Sequence, residues 1–113
     1  MSFTYLASPY SHHDTAVMEE RFKKVCKQAA HMILKGEAVF CPIAHSHPIS
    51  GHMHPDLATD TPFWEEVDAP FIRSCSKLAV LMLEGWDKSH GVAHEVRIAV
   101  ERRIPIEYVA PLA

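Results

Sequence analysis

The sequence predicts an α/β domain built on a doubly wound parallel sheet of about four strands, with helices on both faces. Three observations predict it. Strand-like and helix-like stretches alternate along the chain, the order that favours parallel strands joined by right-handed crossovers. Leu78 to Leu83 is an unbroken apolar run of strand length, as expected of a strand covered on both faces. That run leads through Gly85, Trp86 and Asp87 to a helix opening at Ser89 and Gly91, a strand–loop–helix corner of the kind that faces ligands in such sheets.

Taken in order, Phe3 to Ala7 is β-prone and ends at Ser8-Pro9-Tyr10-Ser11. Asp14 or Thr15 caps the first helix, whose apolar face reads as Met18, Phe22, Val25, Cys26, Ala29 and Ile33. Lys35-Gly36 stops it, Gly being free to take the left-handed conformation. Ala38 to Cys41 is the second strand, closed by Pro42. Ile43 to Asp60 reads as an irregular loop carrying His45, His47, His52 and His54. A loop of that length in a small domain points to function.

Thr61-Pro62 starts a helix with Trp64, Val67, Phe71 and Ile72 on its apolar face, and Pro70 is expected to kink or divide it. The apolar strand follows, then a helix marked by Val92, Val96 and Val100 as far as Arg103. Pro105 to Val109 is the last strand. Ligands in such sheets bind beyond the C-terminal strand ends, where the strand order reverses.

Residues 1–113 read as one domain, 48% apolar and 22% charged, ordinary values for a soluble globular protein. The net charge of −3 argues against nucleic-acid binding, which relies on Lys and Arg to neutralise phosphates. Cys26, Cys41 and Cys75 are odd in number, widely spaced and set among apolar residues, the pattern of buried reduced thiols. No apolar run reaches membrane-spanning length and no signal-peptide pattern opens the chain, so a cytoplasmic location is expected.

Glu95 is the candidate for chemistry. It lies beside the apolar stripe of its helix, one turn after the small Gly91, which leaves room for a ligand above the carboxylate. The plainer reading is a glutamate favoured by the helix dipole and paired with Arg102. YLASPYS near the start, Asp68 ahead of the third strand and SHGVAHE at Ser89 to Glu95 together resemble the nucleoside 2-deoxyribosyltransferase superfamily. That superfamily includes 2'-deoxynucleoside 5'-phosphate N-hydrolases and small members of unassigned function. The similarity runs through nearly the whole chain and implies a flavodoxin-like sheet.

The resemblance implies roles residue by residue. Glu95 would be a nucleophile attacking the anomeric carbon of a deoxyribose, and Tyr5 would orient it. Asp68 would protonate the departing base. Ser89 and the loop of Ser8, Pro9, Tyr10 and Ser11 would lie near a 5'-phosphate or 5'-hydroxyl, and Asp87 would match an aspartate that some members use at the site. Ser89 reads equally as a plain helix cap, and Trp86 and Tyr10 either stack on a base or pack over the sheet edge. No cofactor is required. The implied ligand is a nucleoside or nucleotide, and the implied assembly is a homodimer or larger homo-oligomer.

The chemistry suits two carboxyl groups. Cleaving an N-glycosidic bond builds positive charge on the sugar and negative charge on the base, so one carboxylate captures the sugar while an acid neutralises the base. On this reading the helix terminus keeps Glu95 ionised and a drier setting raises the pKa of Asp68. Two rival readings stand beside it. One is a catalytically silent nucleotide-binding module. The other is a metal-dependent hydrolase in which His45, His47, His52 and His54, with Asp56, hold the ion, although their spacing matches no zinc pattern. His90 and His94, four apart, read as part of a solvated face.

Overall fold

A computed structural model describes residues 2–113. Four strands form one all-parallel sheet: β1 (Thr4–Ala7), β2 (Val39–Phe40), β3 (Lys77–Leu81) and β4 (Ile106–Val109), in the order β2-β1-β3-β4. Thr4 pairs with Val39 on one side and Lys77 on the other, and Leu78 pairs with Ile106. The chain moves outward from β1 to β2 and then returns past β1 to β3. The strand order therefore reverses between β1 and β3, and this is the flavodoxin-like arrangement.

Five helices flank the sheet: α1 (Thr15–Leu34), α2 (Pro42–Ser50), α3 (Pro55–Ala58), α4 (Thr61–Ser74) and α5 (His90–Glu101). The period-2 alternation of strand side chains decides which helix each residue meets. Leu6, Ala79 and Leu81 face Val25, Ala29 and Met32 of α1 and Ile43 of α2. Tyr5, Ala7, Leu78 and Val80 face Ile72 of α4 and Val92 and Ala99 of α5. Tyr5 thus points to the face that also carries Asp68 and Glu95.

Local signals end the helices where expected. Asp14 caps α1, its Oδ1 accepting from the Ala16 amide at 2.9 Å. Gly36, just past the helix, has φ +96°, a conformation that costs a residue with a Cβ about 1–2 kcal/mol. Ser89 caps α5 by accepting from the Val92 amide at 3.2 Å. Cys41 and Cys75 are buried, Cys26 is partly so, and all three thiols are free. No helix among the described residues is long and apolar enough to cross a membrane.

Four expectations are corrected. Residues 43–60 are largely helical, because Pro42 and Pro55 stand in the first turns of α2 and α3, where a missing N–H is harmless. Pro70 leaves α4 unbroken: it is exposed, as is Glu66, whose carbonyl loses its helical donor. The buried stripe of α1 passes through Val25, Gln28, Ala29 and Met32, while Ile33 is 53% exposed. Ile33 lies about 100° further round the helix than Met32. On α5 a repeat of four drifts by about 40° at each step, so Ala99 takes the core position and Val100 is 63% exposed.

Candidate active site

A cavity of about 760 Å³ opens beyond the C-terminal ends of β1 and β3. Tyr5 comes to it from β1, Asp68 from α4 and Glu95 from α5. The Tyr5 hydroxyl donates to Glu95 Oε2 at 2.5 Å. Burial holds the Tyr5 phenol well above its ordinary range, and the charges of Glu95 and Asp68 push the same way. Tyr5 therefore remains a donor.

Glu95 differs from expectation. Burial pushes its carboxyl up to about 8, against the Tyr5 hydrogen bond, and the charges of Asp68 and Glu65 raise it further. The helix terminus does not keep it acidic, because the loss of hydration outweighs a dipole effect of about 0.3–1 kcal/mol. Asp68 is pushed up to about 6, also by burial. Its Oδ1 is buried and has no hydrogen-bond partner among the described residues, and the same holds for Ser8 Oγ. Both residues line the cavity. Buried polar atoms of this kind are uncommon unless something else satisfies them.

The other expected contacts divide. Tyr10, Ser11, Ser89 and Gly91 line the cavity. A Cβ at Gly91 would meet nothing nearer than Ser89 Oγ at 3.9 Å, so the helix start fronts open space. Pro9, Trp86 and Asp87 are not part of the lining. Pro9 is fully buried, and Asp87 is exposed on a short 3₁₀ turn. Trp86 packs over the sheet, its ring 5.5 Å from that of Tyr108.

Ser89 both caps and lines, so the two roles need separating. With a cap role alone, Ser89→Ala loses about 1 kcal/mol and Ser89→Gly only a few tenths, in denaturant unfolding. A ligand contact would weaken binding by similar amounts in both variants.

Two site residues, Glu65 and Arg21, escape sequence reasoning. Glu65, one turn before Asp68 on α4, is held by His94 Nε2 at 3.2 Å and His90 Nε2 at 3.5 Å. His94 is thereby turned to the cavity wall, whereas His90, its side chain 76% exposed, keeps the solvated position expected of it. Their i, i+4 spacing and the Glu65/Asp68 pair at i, i+3 were the available signals, but neither says what the opposite helix presents. Arg21, on α1, donates to the carbonyls of Tyr10 (3.4 Å), Ser11 (3.1 Å) and Glu84 (3.2 Å). It ties the loop after β1 to the loop after β3 across the reversal point, and no sequence signal marks it.

Gly85 makes that tie possible. Its φ is +89°, and a Cβ there would lie 2.9 Å from Arg21 Nη2. Gly85→Ala is expected to destabilise the chain by about 1–2 kcal/mol, read as a lower denaturant midpoint at unchanged slope.

The remaining histidines disperse. His47 engages Tyr10 and Glu19, His45 packs near Phe40 and Phe71, and His54 caps α3 by accepting from the Asp56 amide. Among the described residues, no three His, Cys, Asp or Glu side chains gather as a metal site requires. The rival arrangement, with His45, His47, His52, His54 and Asp56 gathered about an ion, does not form among the described residues.

Fold and cavity together define a small doubly wound α/β domain with a carboxylate-lined pocket at the switch point of its sheet. The chain belongs to the family described as Domain of unknown function (DUF1937), which matches residues 2–110. A comparison with curated proteins finds no match.

Proposed function

We propose that the cavity cleaves or transfers the N-glycosidic bond of a (deoxy)nucleoside or nucleoside 5'-monophosphate. The observation that carries this reading is the Tyr5–Glu95 hydrogen bond beside the partnerless carboxyl oxygen of Asp68. The resemblance noted in the sequence assigns the same three residues to this chemistry. In the first step Glu95 attacks the anomeric carbon, the carbon–nitrogen bond breaks, and its electron pair leaves with the base. Asp68 supplies the proton that neutralises the base. The sugar is then held as an ester of Glu95. Attack by water or by a second base breaks that ester, and two displacements give net retention.

Purified chain incubated with nucleosides and their 5'-monophosphates is expected to release free base, detected by chromatography, and Glu95→Ala is expected to release none. Release that survives this substitution would sink the assignment. One observation favours a catalytically silent nucleotide-binding module instead. With Glu95 pushed up to about 8 by burial, its carboxyl is held mainly protonated at neutral pH, as a hydrogen-bonding group. Binding without base release in the same incubations selects that reading.

The proposal extends to a cytoplasmic location and a homo-oligomer with the cavity near the subunit interface. Sedimentation of the purified chain tests the assembly.

A further inference from the structure

We infer that Tyr10, His47 and Glu19 form a fixed relay that presents the Tyr10 oxygen to the cavity as a hydrogen-bond acceptor for a ligand hydroxyl or N–H. The proposal rests on the nucleoside reading for its ligand class but not for its geometry. Three separate elements build the relay. Tyr10 follows β1 and lines the cavity, His47 is on α2, and Glu19 is on α1. The Tyr10 hydroxyl lies 2.5 Å from His47 Nδ1, and His47 Nε2 lies 2.9 Å from Glu19 Oε2. Phe22 stacks on the imidazole at 4.1 Å between ring centroids, which sets the plane of the ring.

The proton positions follow from what each group can do. A carboxylate only accepts, so the Glu19 contact requires a hydrogen on Nε2. In a neutral imidazole Nδ1 then carries the lone pair and accepts from Tyr10 O–H. The Tyr10 proton is thereby committed away from the cavity, and the oxygen's remaining lone pair is available to a ligand. Such a wall suits a sugar hydroxyl, which donates. It is poorly suited to a fully ionised phosphate oxygen, which cannot. Tyr10 is thus a ligand contact, and His47 and Glu19 are positioning residues that act through it.

The test is a double-mutant cycle on KM, or on nucleoside dissociation constants by calorimetry, with Tyr10→Phe, His47→Gln and the pair. Tyr10→Phe keeps the ring and is expected to raise KM about tenfold with kcat within about threefold, the signature of uniform binding lost with one hydrogen bond. His47→Gln is expected to raise KM several-fold in the wild-type background and to add nothing in Tyr10→Phe. A purely structural role for His47 would add its full effect in both backgrounds, and that result overturns the relay. So does a Tyr10→Phe chain that binds nucleosides as tightly as wild type. Should wild type bind nucleosides without releasing base, the glycosidic reading fails by itself. The cycle on dissociation constants then decides the relay by the same criteria.

Discussion

Glu95→Gln is expected to release base at about a thousandth of the wild-type rate or less, as for loss of a group bonded to the reacting carbon. The substitution preserves size and an oxygen to accept from Tyr5, so the loss would not come from collapse of the cavity. The same variant carries a second signature of opposite sign. Glu95 has a folded pKa of about 8 against an ordinary value of 4.5. The folded chain therefore binds more protons than the unfolded chain across that interval, and its stability falls as pH rises. The contribution is fully present below about 4.5 and is lost as pH passes through about 8. Glu95→Gln has no such charge to bury. It should therefore be more stable than wild type at alkaline pH, by a few kcal/mol. Thermal melts from pH 5 to pH 9 should show wild type falling through about pH 8, whereas Glu95→Gln should lose only the Asp68 contribution, near pH 6, and run level above it. A wild-type curve as level as that of the variant would mean that Glu95 is hydrated.

Asp68→Asn is expected to lower base release at pH 7 by about 10²–10⁴-fold, the usual loss for a general acid. The variant should also change the shape of the pH profile. Wild-type chemistry needs Asp68 protonated and Glu95 ionised, whereas their pKa values of about 6 and about 8 favour the opposite allocation of the one proton. The productive arrangement is then the minor one of the singly protonated forms, and positive charge developing on the sugar must favour it as the bond breaks. The wild-type profile should be a bell with limbs near 6 and 8. With Asn at position 68 the falling limb disappears, because no acid remains to be deprotonated. The rising limb should follow Glu95 alone, below 8, since the like charge of Asp68 that raises it is gone. A substrate whose leaving group is stable as an anion should be much less impaired. An unchanged bell in Asp68→Asn would transfer the acid role to another residue.

Much of this architecture was legible in the sequence because it is written in local patterns. The apolar run Leu78 to Leu83 specified a strand buried on both faces. Asp14, Gly36 and Ser89 specified helix ends through hydrogen bonds and backbone angles that span only a few residues. Alternation of elements then specified the parallel sheet, and with it the edge on which a cavity forms. Tyr5, Asp68 and Glu95 were visible as a set through their motifs.

What tertiary structure alone decided concerns side chains facing one another from elements distant in sequence. Arg21 bridges to Glu84, 63 residues away, and Tyr10 meets His47 at a separation of 37. Glu65 meets His90 and His94 only because α4 and α5 pack on the same face of the sheet. The proton preference of Glu95 belongs here too. Its place at a helix start was legible and predicted an acidic carboxyl, but burial, with the charges of Asp68 and Glu65 behind it, reversed the direction against the Tyr5 hydrogen bond. Desolvation depends on everything that surrounds a group, and in a doubly wound fold those surroundings are supplied by crossovers that no local pattern encodes.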